Sequence, residues 1–150
     1  MSGACARWLL LPVLALSIAA CTIPVRPTAD PLKGTAWRLE AIQSMDDAQG
    51  TTRIPESRRF TLRFGTDGRA SLELDCNRGS GAWQARVAAP DSGSLTFGPI
   101  AVTRAQCPPP RLDERIARDL AYVRSYRLIG GQLFLSLMAD GGIYEWSPPW

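Results

Sequence analysis

Residues 59–75 read RFTLRFGTDGRASLELD, with apolar and polar side chains alternating on both sides of an Asp-Gly pair. Alternation with a period of two is typical of a β-strand that buries one of its faces. The Asp-Gly pair favours the tight turn that joins two antiparallel strands. The stretch therefore predicts a β-hairpin in which Phe60, Leu62 and Phe64 face the protein core.

The same alternation recurs through most of the chain outside the hairpin. The side chains expected to face inward are Trp37, Leu39, Ala41, Trp83, Ala85, Val87, Leu95, Phe97, Tyr126, Leu128, Leu133, Leu135, Leu137, Tyr144 and Trp146. Glycine pairs at residues 130–131 and 141–142 supply further turns. Together these segments predict about seven or eight antiparallel strands in a curled, partly barrel-like sheet.

One segment departs from the period of two. Its apolar residues recur at spacings of four, four and three: Leu112, Ile116, Leu120 and Val123. Three prolines precede it, and Asp113 and Glu114 lie near its start, where a helix carries partial positive charge. This pattern predicts one amphipathic helix over about residues 111–124, packed on the sheet. The expected fold class is therefore α+β.

The first 20 residues have the composition of an export signal. Arg7 is the only charged residue before an apolar run from Trp8 to Ala20. A helix of this length is too short to cross a hydrocarbon core of about 30 Å. A positive start, a short apolar run and small residues at its end are typical of a secretory signal peptide. We expect residues 1–20 to be removed.

The end of this segment suggests that the mature chain carries lipid. Ile18-Ala19-Ala20-Cys21 resembles a bacterial lipobox, which implies that the Cys21 thiol is acylated and becomes the new N-terminus. The alternative is ordinary secretion with cleavage after Ser17. Residue 22 is Thr rather than Asp, which resembles enteric-type cargo sorted to the outer membrane. The expected location is the cell envelope, at the outer membrane and facing the periplasm.

Residues 21–33 are expected to form a tether. Pro24, Pro27 and Pro31 prevent a helix and favour an extended chain. The remaining residues, 34–147, then form a single domain with the expected sheet and helix. A chain of this length buries enough surface to fold as one unit.

Two cysteines remain once Cys5 is removed with the leader and Cys21 is acylated. Cys76 and Cys107 then lie in a protein addressed to an oxidising compartment, where disulfides form and persist. A bridge between them would close a loop of about 30 residues and stabilise the domain by about 3–4 kcal/mol. The alternative is a pair of buried free thiols.

The residue types present exclude several kinds of catalytic site. The chain has no histidine, which removes His-dependent triads and His metal sites, and two thiols cannot complete a zinc site. Glu73 and Asp75 are the kind of carboxylate pair that an exposed strand commonly offers. The 17 basic and 14 acidic residues are interleaved rather than gathered in one stripe, which argues against nucleic-acid binding. We therefore expect no enzyme activity, no metal and no cofactor.

Two linked motifs resemble a known family. They read DCNRGSGAW at residues 75–83 and TRAQCP at residues 103–108. They resemble the META domain of HslJ-like heat-inducible envelope proteins, whose pattern has Gly-Cys-Asn, a Gly four residues after the Asn, an aromatic, and later Thr-x-x-x-Cys-Pro. The matching residues are Asn77, Gly81, Trp83, Thr103, Cys107 and Pro108. Asp75 stands where the family usually has Gly.

The resemblance implies a partly barrel-like sheet, export or lipidation, and a link to heat shock, stress and antibiotic tolerance, without an established catalytic activity. The main functional hypothesis is a non-enzymatic lipoprotein that binds or stabilises an envelope partner. One alternative is a carrier or pilotin-like module that holds an acyl chain or hydrophobic small molecule in a cavity lined by Trp37, Trp83, Phe97 and Trp146. Another is a periplasmic hydrolase inhibitor presenting a loop at residues 77–81.

Overall fold

The computed structural model describes residues 29–46, 48–138 and 140–149. The expected leader, Cys21 and the tether as far as residue 28 lie outside the described residues. The elements in chain order are β1 (Ala36–Gln43), β2 (Thr51–Arg53), a 3₁₀ turn (Ser57–Arg59), β3 (Phe60–Phe64), β4 (Arg69–Leu74), β5 (Asn77–Ala89), β6 (Ser92–Phe97), β7 (Ala101–Val102), α1 (Leu112–Leu120), β8 (Val123–Ile129), β9 (Gln132–Leu137) and β10 (Ile143–Ser147).

The main sheet closes on itself as an antiparallel barrel. Its strands follow the order β1-β3-β4-β5-β6-β8-β9-β10, and β10 pairs again with β1, where Trp146 lies opposite Leu39. The short strands β2 and β7 extend the sheet beside β1 and β5. The predicted α+β class with a curled, barrel-like sheet is confirmed. The two extra strands have only 3 and 2 residues, too few to show a period in the sequence.

Most of the side chains that the alternation placed inward form the barrel interior, whereas Val87 is half-buried and lies outside the core cluster. In the hairpin, Phe60, Leu62 and Phe64 are buried, and they lie opposite Leu74, Leu72 and Ala70 of β4. Tyr126 and Trp146 are fully buried on the far side of the ring. The hydrophobic effect therefore selects the strand register, because a shift of one residue would turn this set outward.

The helix is shorter than the predicted range 111–124. It runs from Leu112 to Leu120, and Arg111 precedes it in a left-handed conformation with φ +44°. After Leu120 the chain turns, and Val123 begins β8, where it pairs with Leu137 and is fully buried. The prediction was wrong at this end because a buried Val three residues after Leu120 fits a helix face and an inward strand position equally well.

The folded domain begins earlier than the expected boundary at Gly34. Leu32 is fully buried, and its N–H donates to the Asp30 side chain at 3.0 Å. The Gly34 N–H then donates to the Phe64 carbonyl at 2.8 Å, which attaches the segment to β3. The last residues of the expected tether are therefore part of the domain.

The two ends of the barrel carry different parts of the chain. The N-terminal end holds the entry into β1 and the turn between β3 and β4, since Ala36 pairs with Arg63. The opposite end, here called the helix end, holds the turn between β4 and β5 and the segment that leads into α1. Ile116 and Leu120 of α1 belong to the barrel core cluster. The helix therefore covers the barrel at the end away from the N-terminal segment.

Candidate functional site

Asn77 is the centre of a buried hydrogen-bond cluster at the helix end. Its side-chain nitrogen donates to the Ala105 carbonyl and to Asp113 Oδ2, both at 2.9 Å, and lies 3.3 Å from the Cys107 sulfur. Its side-chain oxygen accepts hydrogen bonds from the Thr103 hydroxyl and the Ala105 N–H, both at 2.8 Å. A single amide thus joins β5, the loop at residues 103–107 and the start of α1.

Thr103 connects the loop to the backbone of β5 as well. Its hydroxyl oxygen accepts a hydrogen bond from the Arg78 N–H at 2.9 Å, and its own N–H donates to the Arg78 carbonyl at 3.0 Å. Pro108 is exposed, and its carbonyl accepts a hydrogen bond from the Arg111 N–H at 3.4 Å as the chain turns toward α1. The Thr and Pro of the second motif therefore shape the approach to the helix.

Cys76 and Cys107 form a disulfide in this cluster. Their Cα atoms lie 5.5 Å apart, and 31 positions separate them along the chain. Cys107 is buried, whereas Cys76 is exposed at the turn between β4 and β5. The bridge and the Asn77 amide hold the same loop from two adjacent residues.

Asp75 lies in the tight turn between β4 and β5, at the position where the family pattern has Gly. Its φ is +61°, a left-handed conformation that Asp adopts more readily than most residues. Its carboxylate forms an ion pair with Arg59, and its N–H donates to the Arg59 carbonyl at 2.8 Å. Asp75 therefore takes a backbone conformation that Gly also adopts readily, and it contacts the 3₁₀ turn.

The glycines of the first motif allow close packing rather than an unusual backbone. Residues 77–81, expected to form a loop, begin β5 instead, and Asn77, Gly79 and Gly81 are buried there. A Cβ on Gly81 would lie 2.7 Å from Ile100 Cδ1 and 2.8 Å from the Pro99 carbonyl oxygen. The expected loop conformation is wrong because the segment before β7 packs directly on this strand.

The aromatic side chains expected to line a cavity pack against their neighbours. Trp83 contacts Phe64 edge to face with ring centroids 4.9 Å apart, and Phe64 stacks on Phe97 at 6.0 Å. Trp37 and Trp146 are 8% and 0% exposed. These residues fill the barrel interior. Three buried aromatic side chains each have a polar atom without a hydrogen-bond partner among the described residues: Trp83 Nε1, Trp146 Nε1 and Tyr126 Oη.

The carboxylates that could have served an acid–base reaction do not face each other. Glu73 is exposed on β4 opposite Arg78, whereas Asp75 lies in the following turn against Arg59.

The Tyr144 hydroxyl donates a hydrogen bond to Asp119 Oδ2 at 2.7 Å. Burial and the Asp119 carboxylate both raise the pKa of Tyr144 far above its usual value. Within residues 29–46, 48–138 and 140–149, no group of three potential metal ligands occurs.

A family model described as the META domain matches residues 30–145. The chain belongs to the META domain family. The match begins two residues before Leu32, in agreement with the early start of the fold. A comparison with curated proteins found no match.

Solved structures share the META fold of this chain. The NMR structure of a protein from Burkholderia xenovorans superposes with a TM-score of 0.64 at 24% identity, and the match covers 92% of this chain and 98% of that one. The crystal structure of a duf4847 family protein from Bacteroides vulgatus gives a TM-score of 0.51 at 11% identity, covering 78% and 94%. At these identities the likeness concerns the fold alone.

Asp113 belongs to the Asn77 cluster, but the sequence did not single it out as a site residue. It is 5% exposed and is one of the residues that line a cleft of about 660 Å³ beside the start of α1. The only signal for Asp113 in the sequence was its place as an acidic residue in the first helical turn, which is common in helices.

In the part of the chain that the structure describes, no helix has the length and hydropathy needed to cross a membrane.

Proposed function

We propose that the chain is a non-enzymatic lipoprotein of the cell envelope whose META domain binds or stabilises an envelope partner, under heat or other stress. The lipobox-like Ile18-Ala19-Ala20-Cys21 supports the anchor, since two or more acyl chains hold a protein stably on a bilayer. The proposed location is the outer membrane on its periplasmic side.

The observation that carries the proposal is the arrangement of the two barrel ends. The N-terminal segment enters at one end, and the Asn77 cluster holds an exposed loop, residues 103–106, at the other. A lipid on Cys21 would place the N-terminal end toward the membrane and the loop away from it. Exposed loops held on a rigid scaffold are common binding surfaces.

Two experiments test this proposal separately. First, Cys21→Ser should move the protein from the membrane fraction to the soluble envelope fraction, and intact mass should show two or three acyl chains on the unsubstituted chain. An uncut leader with unmodified Cys21 would contradict the proposed lipid anchor.

The second experiment tests partner binding: a photo-reactive amino acid in place of Arg104 should give a discrete protein crosslink in intact cells. Arg127, exposed toward the N-terminal end, is the matched control position and should give none.

The carrier or pilotin-like alternative has one observation in its favour. The unpaired polar atoms of Trp83, Trp146 and Tyr126 could donate to a guest inside the barrel. The filled interior counts against it, because a guest would need these side chains to move. Native mass spectrometry of protein isolated from its own membrane decides, since a bound lipid or small molecule would appear as added mass. For the hydrolase-inhibitor alternative, residues 77–81 offer no loop to insert.

A further inference from the structure

A groove of about 410 Å³ crosses the outer face of the barrel over four neighbouring strands, β1, β3, β4 and β5. Its floor is the backbone of one cross-strand row of buried residues: Trp37, Leu62, Leu72 and Gly79. The row on one side forms a largely charged wall: Arg38, Thr61, Glu73 and Arg78. The row on the other side has short side chains around one arginine: Ala36, Arg63 and Ser71.

The groove has the dimensions of a short extended peptide. Adjacent strands lie about 4.8 Å apart, so a row across four strands is about 14 Å long. Residues two apart on one strand are separated by about 7 Å, which sets the distance between the two walls. At the β1 end Pro149 lines the groove, and its carbonyl accepts a hydrogen bond from Arg38 Nη1 at 3.3 Å. More of the lining is apolar than polar, so the groove accommodates carbon as well as charge.

Two arginines of the groove have no counter-charge. Arg38 forms an ion pair with Glu40 at 2.8 Å, whereas Arg63 and Arg78 form none among the described residues. Arg63 and Arg78 are both exposed. Glu73 lies directly opposite Arg78 in the strand register, but the two do not form an ion pair. Two guanidinium groups are therefore available to an anion, and Glu73 is the acidic residue of the described lining.

The β5 end of the groove leads to the loop at residues 103–106, the proposed binding surface. The Arg78 N–H donates to the Thr103 hydroxyl at 2.9 Å, and the Thr103 N–H donates to the Arg78 carbonyl at 3.0 Å. Arg104 follows Thr103 and is exposed, without an ion pair among the described residues. Arg104, Arg78 and Arg63 therefore form a basic track from the loop into the groove.

We propose that this groove receives an extended, acidic segment of the envelope partner, continuous with the part that contacts the loop at residues 103–106. Carboxylates of the segment would bind Arg63 and Arg78, because a guanidinium matches the planar geometry of a carboxylate. The aliphatic stems would lie against Ala36 and Pro149. Four extended residues at about 3.3 Å each match the length of the groove. This inference rests on the proposed partner-binding function and names the chemistry of the partner.

The probe is an acetylated, amidated peptide of five glutamates, titrated into the isotope-labelled full chain as purified from its host in a neutral detergent. Amide NMR signals of Arg63, Leu72 and Arg78 should shift and saturate, and the affinity should fall as salt is added. A peptide of five glutamines has the same length and nearly the same shape without the charge. It should leave these signals unshifted.

Charge variants test which arginines bind the peptide. Arg63→Gln combined with Arg78→Gln should weaken binding about tenfold, since each exposed pair of opposite charges contributes up to about fivefold. Arg86→Gln combined with Arg127→Gln removes the same charge from exposed arginines outside the groove, and should change affinity by no more than about twofold.

Glu73→Gln should change the affinity in the opposite direction. It removes a negative charge that repels the carboxylates of the peptide, so binding should strengthen by about two- to fivefold. Glu73 is exposed, so the fold should tolerate the substitution. Unchanged or weaker binding by this variant would count against an acidic occupant.

Four further outcomes would overturn the inference. These are no shift with the glutamate peptide, equal shifts with the glutamine peptide, equal weakening in the groove and control double variants, or the same shifts with inorganic phosphate at equal concentration of charge. The last would identify a general anion site. A crosslink from position 104 combined with a silent glutamate titration would leave partner binding intact and remove only the acidic segment.

Discussion

The side-chain nitrogen of Asn77 lies 2.9 Å from Oδ2 of Asp113, and both residues are buried. This bond joins the first residue of β5 to the first turn of α1, across 36 positions of the chain. Hydrogen bonds to charged groups are stronger than those between neutral groups, and a buried one is costly to lose. The pair therefore holds the helix on the barrel.

Asn77→Asp should destabilise the domain strongly, by about 3–5 kcal/mol. The variant sets two carboxylates side by side in a buried site and removes the donor to the Ala105 carbonyl. Chemical denaturation at neutral pH measures the change. Adding Asp113→Asn restores a donor between the two positions and should recover part of the loss. Equal stability of the single and double variants would refute the pairing.

Replacing both Cys76 and Cys107 with Ala should lower the free energy of unfolding by about 3–4 kcal/mol, since the bridge closes a loop of about 30 residues. Thermal unfolding with and without a reductant measures the effect. Reduction of the unsubstituted chain should produce a similar drop, while the double variant should not respond to the reductant. Two alkylatable thiols in native, untreated protein would show that the bridge does not form.

Gly81→Ala should cost about 1–3 kcal/mol, because the new Cβ would overlap Ile100 and the backbone of Pro99. Gly98→Ala is the matched control: its Cβ would lie 3.6 Å from Ala82 Cβ, an ordinary contact. The control should stay within about 0.5 kcal/mol of the unsubstituted chain. Urea midpoints of the two variants give the comparison, and equal midpoints would argue against the close approach.

Stability should fall as the pH rises above 10, in part because of Tyr144. Burial, the hydrogen bond to Asp119 and its charge raise the pKa of Tyr144 above the ordinary value of 10.0. Above that pH the unfolded chain loses the proton while the folded protein keeps it, so unfolding becomes more favourable. Burial also raises the pKa of Tyr126, which adds to the same loss of stability at high pH.

Tyr144→Phe isolates the contribution of Tyr144 to the loss of stability at high pH. It should cost about 1 kcal/mol at neutral pH through the lost hydrogen bond, and its stability should decline less steeply above pH 10. Denaturation curves between neutral pH and pH 11 provide the measurement. A variant whose stability declines as steeply as that of the unsubstituted chain would show that Tyr144 does not hold its proton in this range.

The strands and their inward faces could be read from the sequence because a period of two is a local property. The hairpin at residues 59–75 and the buried aromatic residues follow directly from it. The end of the helix could not be read, since Val123 satisfies both periodicities. Closure of the barrel depends on Leu39 meeting Trp146, which local pattern does not encode.

The Asn77 cluster could be predicted only in part from the sequence. The motifs identified Asn77, Thr103 and Cys107, but the resemblance could not say that one amide joins them. Asp113 was missed because its partner lies 36 positions away, and an acid in a first helical turn has an ordinary local explanation. Contacts between distant segments require the three-dimensional structure.

The return of β10 to β1 has a consequence for solubility. A barrel whose strands all find neighbours leaves no long row of unpaired backbone groups on which a second copy could stack. The strands that lie beside the ring, β2 and β7, are too short to template such growth. Many copies crowded on one surface could therefore stand side by side without coalescing into cross-β fibrils.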